Sequence, residues 1–229
     1  MPGRGTINAT FALRQLCEKY RCAHKNLHMV FIDLEKAYDR VPREVLWWAL
    51  KEKGVPWKYV ELIRAMYSRS STYVRSSAGN TDKFSVAVGL HQGSALSPYL
   101  FLLIMDALTS EIQEEAPWCM LLADDIVFVS EDGPEIQGRL EKWQQKLESV
   151  GLKISRTKTE YMFCDFGGLS SPEAIALDCV LLPICSDFRY LGSLVQSDGG
   201  IDRTVKHNKH RVDEMAAGNG NNLRFPRSP

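Results

Sequence analysis

The chain has 229 residues, 45% hydrophobic and 24% charged, enough for one sizeable domain with its own core and too apolar for a wholly disordered chain. Lys plus Arg and Asp plus Glu both number 28, so the formal net charge is +0; this argues against a polybasic tail while leaving room for a local basic groove. Cys17, Cys22, Cys119, Cys164, Cys179 and Cys185 form no C-x-x-C pair. Cys17, Cys22 and His24 have poor zinc spacing and lack a fourth ligand, so reduced structural thiols are expected. No signal peptide is visible, and the longest apolar run, residues 99–105, is too short to span a bilayer. A soluble intracellular protein without a membrane partner is the expectation, nucleus and cytoplasm undistinguished.

In chain order, Thr6 caps a predicted helix running to about Arg21, with Ala9, Leu13, Leu16 and Tyr20 on one face. Residues 28–34 read as a buried strand carrying one carboxylate, Asp33, near its end. Pro42 is placed as a first helical residue; Gly54 closes that helix and Pro56 starts the next. Residues 72–76 and 83–88 suggest a hairpin around Ala78, Gly79 and Asn80. Ser97 and Pro98 begin a strongly apolar helix expected to reach about Glu114. Residues 119–130 then place Asp124 and Asp125 between two apolar runs, which reads as strand, tight turn, strand. A helix follows from Gly133 to Gly151, with Ile136, Leu140, Trp143, Leu147 and Val150 at alternating spacings of four and three. Residues 159–164 and 188–195 are each predicted as strands. Beyond His207 the sequence is rich in Gly, Asn, Pro and Arg, and residues 207–229 are expected to be a disordered tail. Interspersed helices and hairpins favour an α+β fold, a small mostly antiparallel sheet backed by helices.

Two ionised carboxylates cannot lie in an apolar interior without partners. At a hairpin tip, Asp124 and Asp125 can point into a cleft and share a hard divalent cation, Mg²⁺ or Mn²⁺; a plain surface turn is the other reading. Asp33 closes a buried strand, where it is either a helix cap or a third carboxylate. If that strand lies beside the hairpin, Asp33 and Asp124 can face one another and bridge two ions about 3.5–4 Å apart, the arrangement for in-line phosphoryl displacement.

Residues 31–39, Phe-Ile-Asp-Leu-Glu-Lys-Ala-Tyr-Asp, resemble the first catalytic motif of reverse transcriptases. Residues 88–98, with their Gln-Gly and Ser-Pro, are similar to the next motif. Leu122-Ala123-Asp124-Asp125 resembles the aromatic-Ala-Asp-Asp box, residues 151–160 the fourth palm motif, and Tyr190-Leu191-Gly192 the primer grip. The flavour is that of LINE-type, non-LTR retrotransposon polymerases, and the likeness runs from about residue 3 to residue 206. The resemblance implies a polymerase palm with partial fingers and no recognisable thumb over residues 1–206. It implies RNA-directed DNA polymerase activity, with RNA template, DNA primer and dNTPs as partners and two Mg²⁺ or Mn²⁺ ions as cofactors. By the same resemblance Asp33, Asp124 and Asp125 hold the metals, and Lys158 lies near the leaving pyrophosphate. Tyr38 is the sugar gate, and Gln92 and Gly93 line nucleotide and template. Arg4 contacts template, and Tyr190 and Gly192 grip the primer.

Leu122 departs from the family's aromatic residue, losing a ring face near the primer. Upstream fingers strands are expected to lie before residue 1, and no thumb pattern follows about residue 205. These departures lead to an expectation of weak or no activity alone, with room for a protein partner in place of fingers and thumb. A second reading is a non-catalytic retrotransposon-derived module that binds nucleic acid or protein. It would expose apolar patches and gain no stability from metal. A DNA-templated polymerase or cyclase-type palm is a third, against which Gln92-Gly93, Ser97-Pro98 and Tyr190-Leu191-Gly192 argue.

Overall fold

Apolar runs of strand length alternate with stretches of helical periodicity, and most form the element their pattern dictates. The computed structural model describes residues 6–200 apart from 78, 169 and 170. In chain order it has α1 (Thr6–Cys22), β1 (Leu27–Ile32), α2 (Ala37–Arg40), α3 (Arg43–Glu52) and α4 (Trp57–Ser68). Four short strands follow: β2 (Ser71–Thr72), β3 (Arg75–Ser76), β4 (Gly79–Asn80) and β5 (Phe84–Ser85). Then come α5 (Ser97–Thr109), β6 (Cys119–Leu122), β7 (Asp125–Ser130), α6 (Gly133–Glu148) and β8 (Glu160–Cys164). The last described elements are β9 (Ala176–Leu177), β10 (Val180–Leu181), β11 (Asp187–Tyr190) and β12 (Ser193–Gln196). This is the α+β class expected from the sequence. Among the described residues no helix is long and apolar enough to cross a membrane. The 207–229 tail lies outside them.

The chain divides into two compact units. One is drawn from His28–Tyr161 and Glu173–Pro183, the other from Met1–Leu27, Met162–Pro172 and Ile184–Pro229. The main sheet runs in the order β6-β7-β1-β8. β7 pairs antiparallel with β6 and with β1, in a register that sets Ile32 opposite Ile126 and Leu122 opposite Asp125. The strands flanking this register are apolar on both faces, so the sheet is covered on both faces. In the first unit α6 packs on β7: Ile136, Leu140, Trp143 and Leu147 are all fully buried, as their spacing requires. The Trp143 ring meets Phe128 edge-on, centroids 5.2 Å apart, a geometry that adds to simple area burial. Leu100, Phe101, Ile104 and Met105 of α5 are also buried, against α3 and α6. Arg139 is buried yet fully engaged: it donates to the carbonyls of Trp118 and Val129 at 3.0 and 2.8 Å and pairs with Glu114. The guanidinium thus fastens the base of the β6–β7 hairpin, and its charge is compensated.

His28 of β1 is buried, with Nδ1 2.7 Å from the Tyr161 hydroxyl, and burial holds its imidazole below the ordinary histidine value. The unfolded ring therefore takes up a proton at mild acidity that the folded ring refuses. The stability this contributes is complete above the unfolded value, about 6.5, and is lost as pH falls through the depressed native value. Thermal melts are expected to fall in Tm between about pH 7 and pH 5, and His28→Gln to flatten that slope.

In the second unit α1 buries Leu13, Leu16, Cys17 and Tyr20. Arg14 donates to the carbonyl of Leu194 at 3.3 Å, and the Gly167 amide to Asn26 Oδ1 at 2.8 Å. The described cysteines are free thiols, as the spacing implied. Cys17 and Cys164 are buried.

Several expectations change. The single strand expected over 188–195 is a hairpin, β11–β12, because Leu191 and Gly192 both take positive φ, 50° and 79°, the two-residue turn that suits strand twist. α5 stops at Thr109 rather than near Glu114. The Thr109 hydroxyl turns back onto the Met105 carbonyl at 2.6 Å, and Glu111, Glu114 and Glu115 are unfavourable beyond a helix C-terminus. Pro42 and Pro56 are caps, one residue before α3 and α4. The 72–88 hairpin is broken into two ladders, β2–β5 and β3–β4. Both are exposed, so no buried face enforces one continuous register.

Candidate active site

β1 ends where its apolar run ends, and the chain leaves the sheet held by residues 153–159. The Ser155 amide donates to the Asp33 carbonyl at 2.8 Å, and the Glu35 amide to the Lys153 carbonyl at 2.8 Å. The Asp33 amide donates to Thr159 Oγ1 at 3.4 Å. Lys36, at φ 47°, then turns the chain into α2. Asp33 is thereby fixed through its backbone. Its Oδ1 is buried and accepts no hydrogen bond, and Lys158 Nζ lies 3.5 Å away on a side chain that is 69% exposed.

The β6–β7 hairpin closes with the Leu122–Asp125 pair. Its tip is Ala123-Asp124, with Ala123 held at φ 58°, a conformation that costs a non-glycine residue about 1 kcal/mol or more. Asp124 projects at this tip, exposed. One step past the Ile32–Ile126 pair, Asp33 stands abreast of Asp125. Burial, then the charges of Asp124 and Asp33, hold the Asp125 carboxyl above the ordinary aspartate range. The three carboxylates are thus electrostatic neighbours, and the condition posed from the sequence, that β1 lie beside the hairpin, is met by the β1–β7 pairing.

Beside them is a cleft of about 450 Å³ lined by Tyr38, Gln92, Gly93, Ser94, Ser97 and their neighbours. Tyr38 stacks on Phe101, centroids 4.7 Å apart. Burial and then the Asp124 charge raise its phenol above the ordinary tyrosine value, which ties the cleft to the carboxylates. Gln92 Nε2 donates to Asp39 Oδ1 at 2.6 Å. Gly93 takes φ 80°, and a Cβ there would meet nothing within 4 Å, so its requirement is the turn itself.

Sequence reading missed Gly89, His91 and Asp39. Gly89 has φ 82°, and a Cβ on it would lie 2.8 Å from the Asp39 carbonyl oxygen and 3.0 Å from that of Tyr38. Its amide donates to Val41 O and that of Leu90 to Tyr38 O, at 2.8 and 2.7 Å. The glycine lets two backbones touch, and this contact docks the Gln92 loop on the Tyr38 segment. A conspicuous glycine was visible in the sequence; the backbone passing it was not. Tyr190 and Gly192 belong to the other unit, where the Tyr190 ring is buried and Gly192 forms the β11–β12 turn. Arg4 lies outside the described residues.

Among the described residues no group of three or more His, Cys, Asp or Glu side chains is arranged to hold a metal ion. The donor set nevertheless fits a hard divalent cation. It is all carboxylate oxygen, one oxygen is buried without a hydrogen bond, and like charges crowd Asp125. Mg²⁺ commonly takes only one or two protein carboxylates and completes its shell with water and phosphate oxygens.

An antiparallel sheet backed by helices, with acidic strand ends beside an open cleft, is a palm-like α+β fold. The chain belongs to the reverse transcriptase family: the family model described as reverse transcriptase (RNA-dependent DNA polymerase) matches residues 2–195. It is 27% identical over 162 residues to the Pol polyprotein of retrotransposable element R2 from Nasonia vitripennis, covering 67% of this chain and 16% of that protein. It is 29% identical over 149 residues to that of element R2DM from Drosophila melanogaster, covering 60% and 14%. The chain therefore spans only a small part of the length of these relatives, which agree with the LINE-type resemblance of its motifs. Among solved structures, apo telomerase from Candida tropicalis shares the fold, with a TM-score of 0.60 and 17% identity over 84% of this chain and 35% of that one.

Proposed function

We propose that the chain is a polymerase palm with part of the fingers, over about residues 1–206, that adds dNTPs to a DNA primer on an RNA template. What supports this reading most directly is the β1–β7 register, which sets Ile32 opposite Ile126 and so brings Asp33 level with Asp125, next to Asp124 at the hairpin tip. Asp33 and Asp124 hold two Mg²⁺ or Mn²⁺ ions, with Asp125 completing the acidic cluster. Such ions, when bound, make the primer 3′-hydroxyl a better nucleophile and offset charge on the leaving pyrophosphate. The chain's own residues then place the reactants. Gln92, fixed on Asp39, and Gly93 wall the base and sugar. Lys158, on its exposed stem, offers a cation to the pyrophosphate oxygens as the α-phosphate–oxygen bond breaks and the primer oxygen bonds to phosphorus.

Tyr38 is the sugar gate in this reading. Its ring, braced by Phe101, would clash with a ribose 2′-hydroxyl. Tyr38→Val is expected to cut dNTP-over-rNTP selectivity by about tenfold or more, chiefly by raising rNTP kcat/KM. Competing dNTP and rNTP extension on one RNA template tests this; unchanged selectivity removes Tyr38 from the role.

A second reading, a non-catalytic binding module, draws on the exposed stripe of Tyr59, Leu62 and Met66 on α4. It requires that Mg²⁺ leave the melting temperature unchanged.

A further inference from the structure

Gln92 and Gly93 are exposed, and behind them the loop that carries them is fastened through His91. The His91 ring stacks on Tyr67, centroids 4.1 Å apart and planes 15° from parallel. Its Nε2 is 2.7 Å from Ser70 Oγ. Its amide donates to the Tyr67 hydroxyl at 3.3 Å, and its carbonyl accepts from Ser97 Oγ at 2.6 Å. The Ser70 hydroxyl also donates to the Tyr67 carbonyl at 2.9 Å. A hydroxyl has one proton, so for both contacts to be hydrogen bonds His91 must carry its proton on Nε2 and donate it to Ser70. Tyr67 is itself a rigid post. It is 2% exposed, with the Arg43 guanidinium 5.2 Å above its ring and Arg43 Nη1 donating to its carbonyl at 2.9 Å. Trp47 meets its edge at 6.1 Å.

We propose that His91 is a positioning residue of the nucleotide cleft, latching the Gln92-Gly93 turn to the C-terminal end of α4 through Tyr67 and Ser70. The latch acts from behind, without touching substrate. Together with Gly89, which seats the front of the loop on the Tyr38 segment, it fixes where Gln92 and Gly93 stand. Its effect on nucleotide handling rests on the polymerase reading; its geometry does not.

The test therefore has two arms on the full chain. In primer extension, His91→Phe keeps the stack and loses the donor, while Ser70→Ala loses the acceptor. Each is expected to raise KM for dNTP about tenfold with kcat within about twofold. The double variant should be no worse than Ser70→Ala, because the His91–Ser70 bond is lost in either single variant and Ser70→Ala alone also loses the bond to the Tyr67 carbonyl, and His91→Gln, which retains an N–H donor, should recover most of the loss. In amide hydrogen exchange, both single variants should speed exchange at residues 91–94 by about tenfold while β1 and β7 keep their protection. Additive single effects, a loss confined to kcat, or unchanged exchange at 91–94 overturns the proposal. If the wild-type chain extends no primer, the polymerase reading fails, and the exchange arm decides the latch by itself. If His91→Phe does not fold, Ser70→Ala carries both arms.

Discussion

Asp124→Asn is expected to abolish RNA-templated dNTP incorporation, by at least about 10³-fold, and at the same time to stabilise the metal-free protein. Both effects have one cause. Asp124 stands at the tip of a hairpin whose next residue, Asp125, has its carboxyl raised above the ordinary aspartate range by burial and by the charges of Asp124 and Asp33. Without a cation, like charges at this spacing oppose folding. Removing one leaves the amide's shape and takes away a repulsion that solvent already screens at this exposed tip, so Tm should rise slightly. Mg²⁺ should raise the wild-type Tm through linkage and leave that of Asp124→Asn nearly unmoved. Thermal melts with and without Mg²⁺ check the stability half and primer extension the catalytic half. An Asp124→Asn protein that melts lower than wild type without metal would show that the aspartate is structural.

Gly89→Ala is expected to carry a large cost in stability from the addition of a single methyl group. The new methyl would sit 2.8 Å from the Asp39 carbonyl oxygen and 3.0 Å from both Asp39 Cα and the Tyr38 carbonyl oxygen. All are backbone atoms that cannot rotate aside, and φ 82° adds left-handed strain. A cost of about 2–4 kcal/mol is expected, a fall in Tm of roughly 5–15 °C. Gly54 supplies the control: its φ is 67°, but a Cβ there meets nothing within 4 Å, so Gly54→Ala should cost only about 1 kcal/mol. Denaturant melts of the two variants separate backbone crowding from strain alone. Equal losses would mean that the Gly89 contact with the Tyr38 segment contributes nothing.

Much of this was legible in the sequence because burial writes itself into periodicity. The four-three alternation of Ile136, Leu140, Trp143 and Leu147 is the buried face of α6, and the uniformly apolar runs before Asp33 and around Asp124-Asp125 are β1, β6 and β7. The neighbourhood of Asp33 and the hairpin was legible as a condition and became geometry through the register of Ile32 with Ile126. Other features depend on contacts distant in sequence, which local pattern does not encode. The 89–91 segment is one: Gly89 needs Asp39, and His91 needs Tyr67 and Ser70. The β11–β12 turn is another, because Leu191 accepts a left-handed backbone that its residue type gives no reason to expect. The exposed β2–β5 and β3–β4 ribbons had no buried face to fix their extent.

The central claim is that Asp33 and Asp124 serve one nucleotidyl-transfer site. The measurement that tests it most directly is extension of a labelled DNA primer on an RNA template by the wild-type chain, Asp33→Asn and Asp124→Asn, with Mg²⁺ or Mn²⁺ and with chelator. Incorporation of dNTPs by the wild type that needs the divalent ion and disappears in both variants is the expected result. Incorporation that survives in either variant, or none from a folded wild-type chain whose melting Mg²⁺ does not shift, would contradict it.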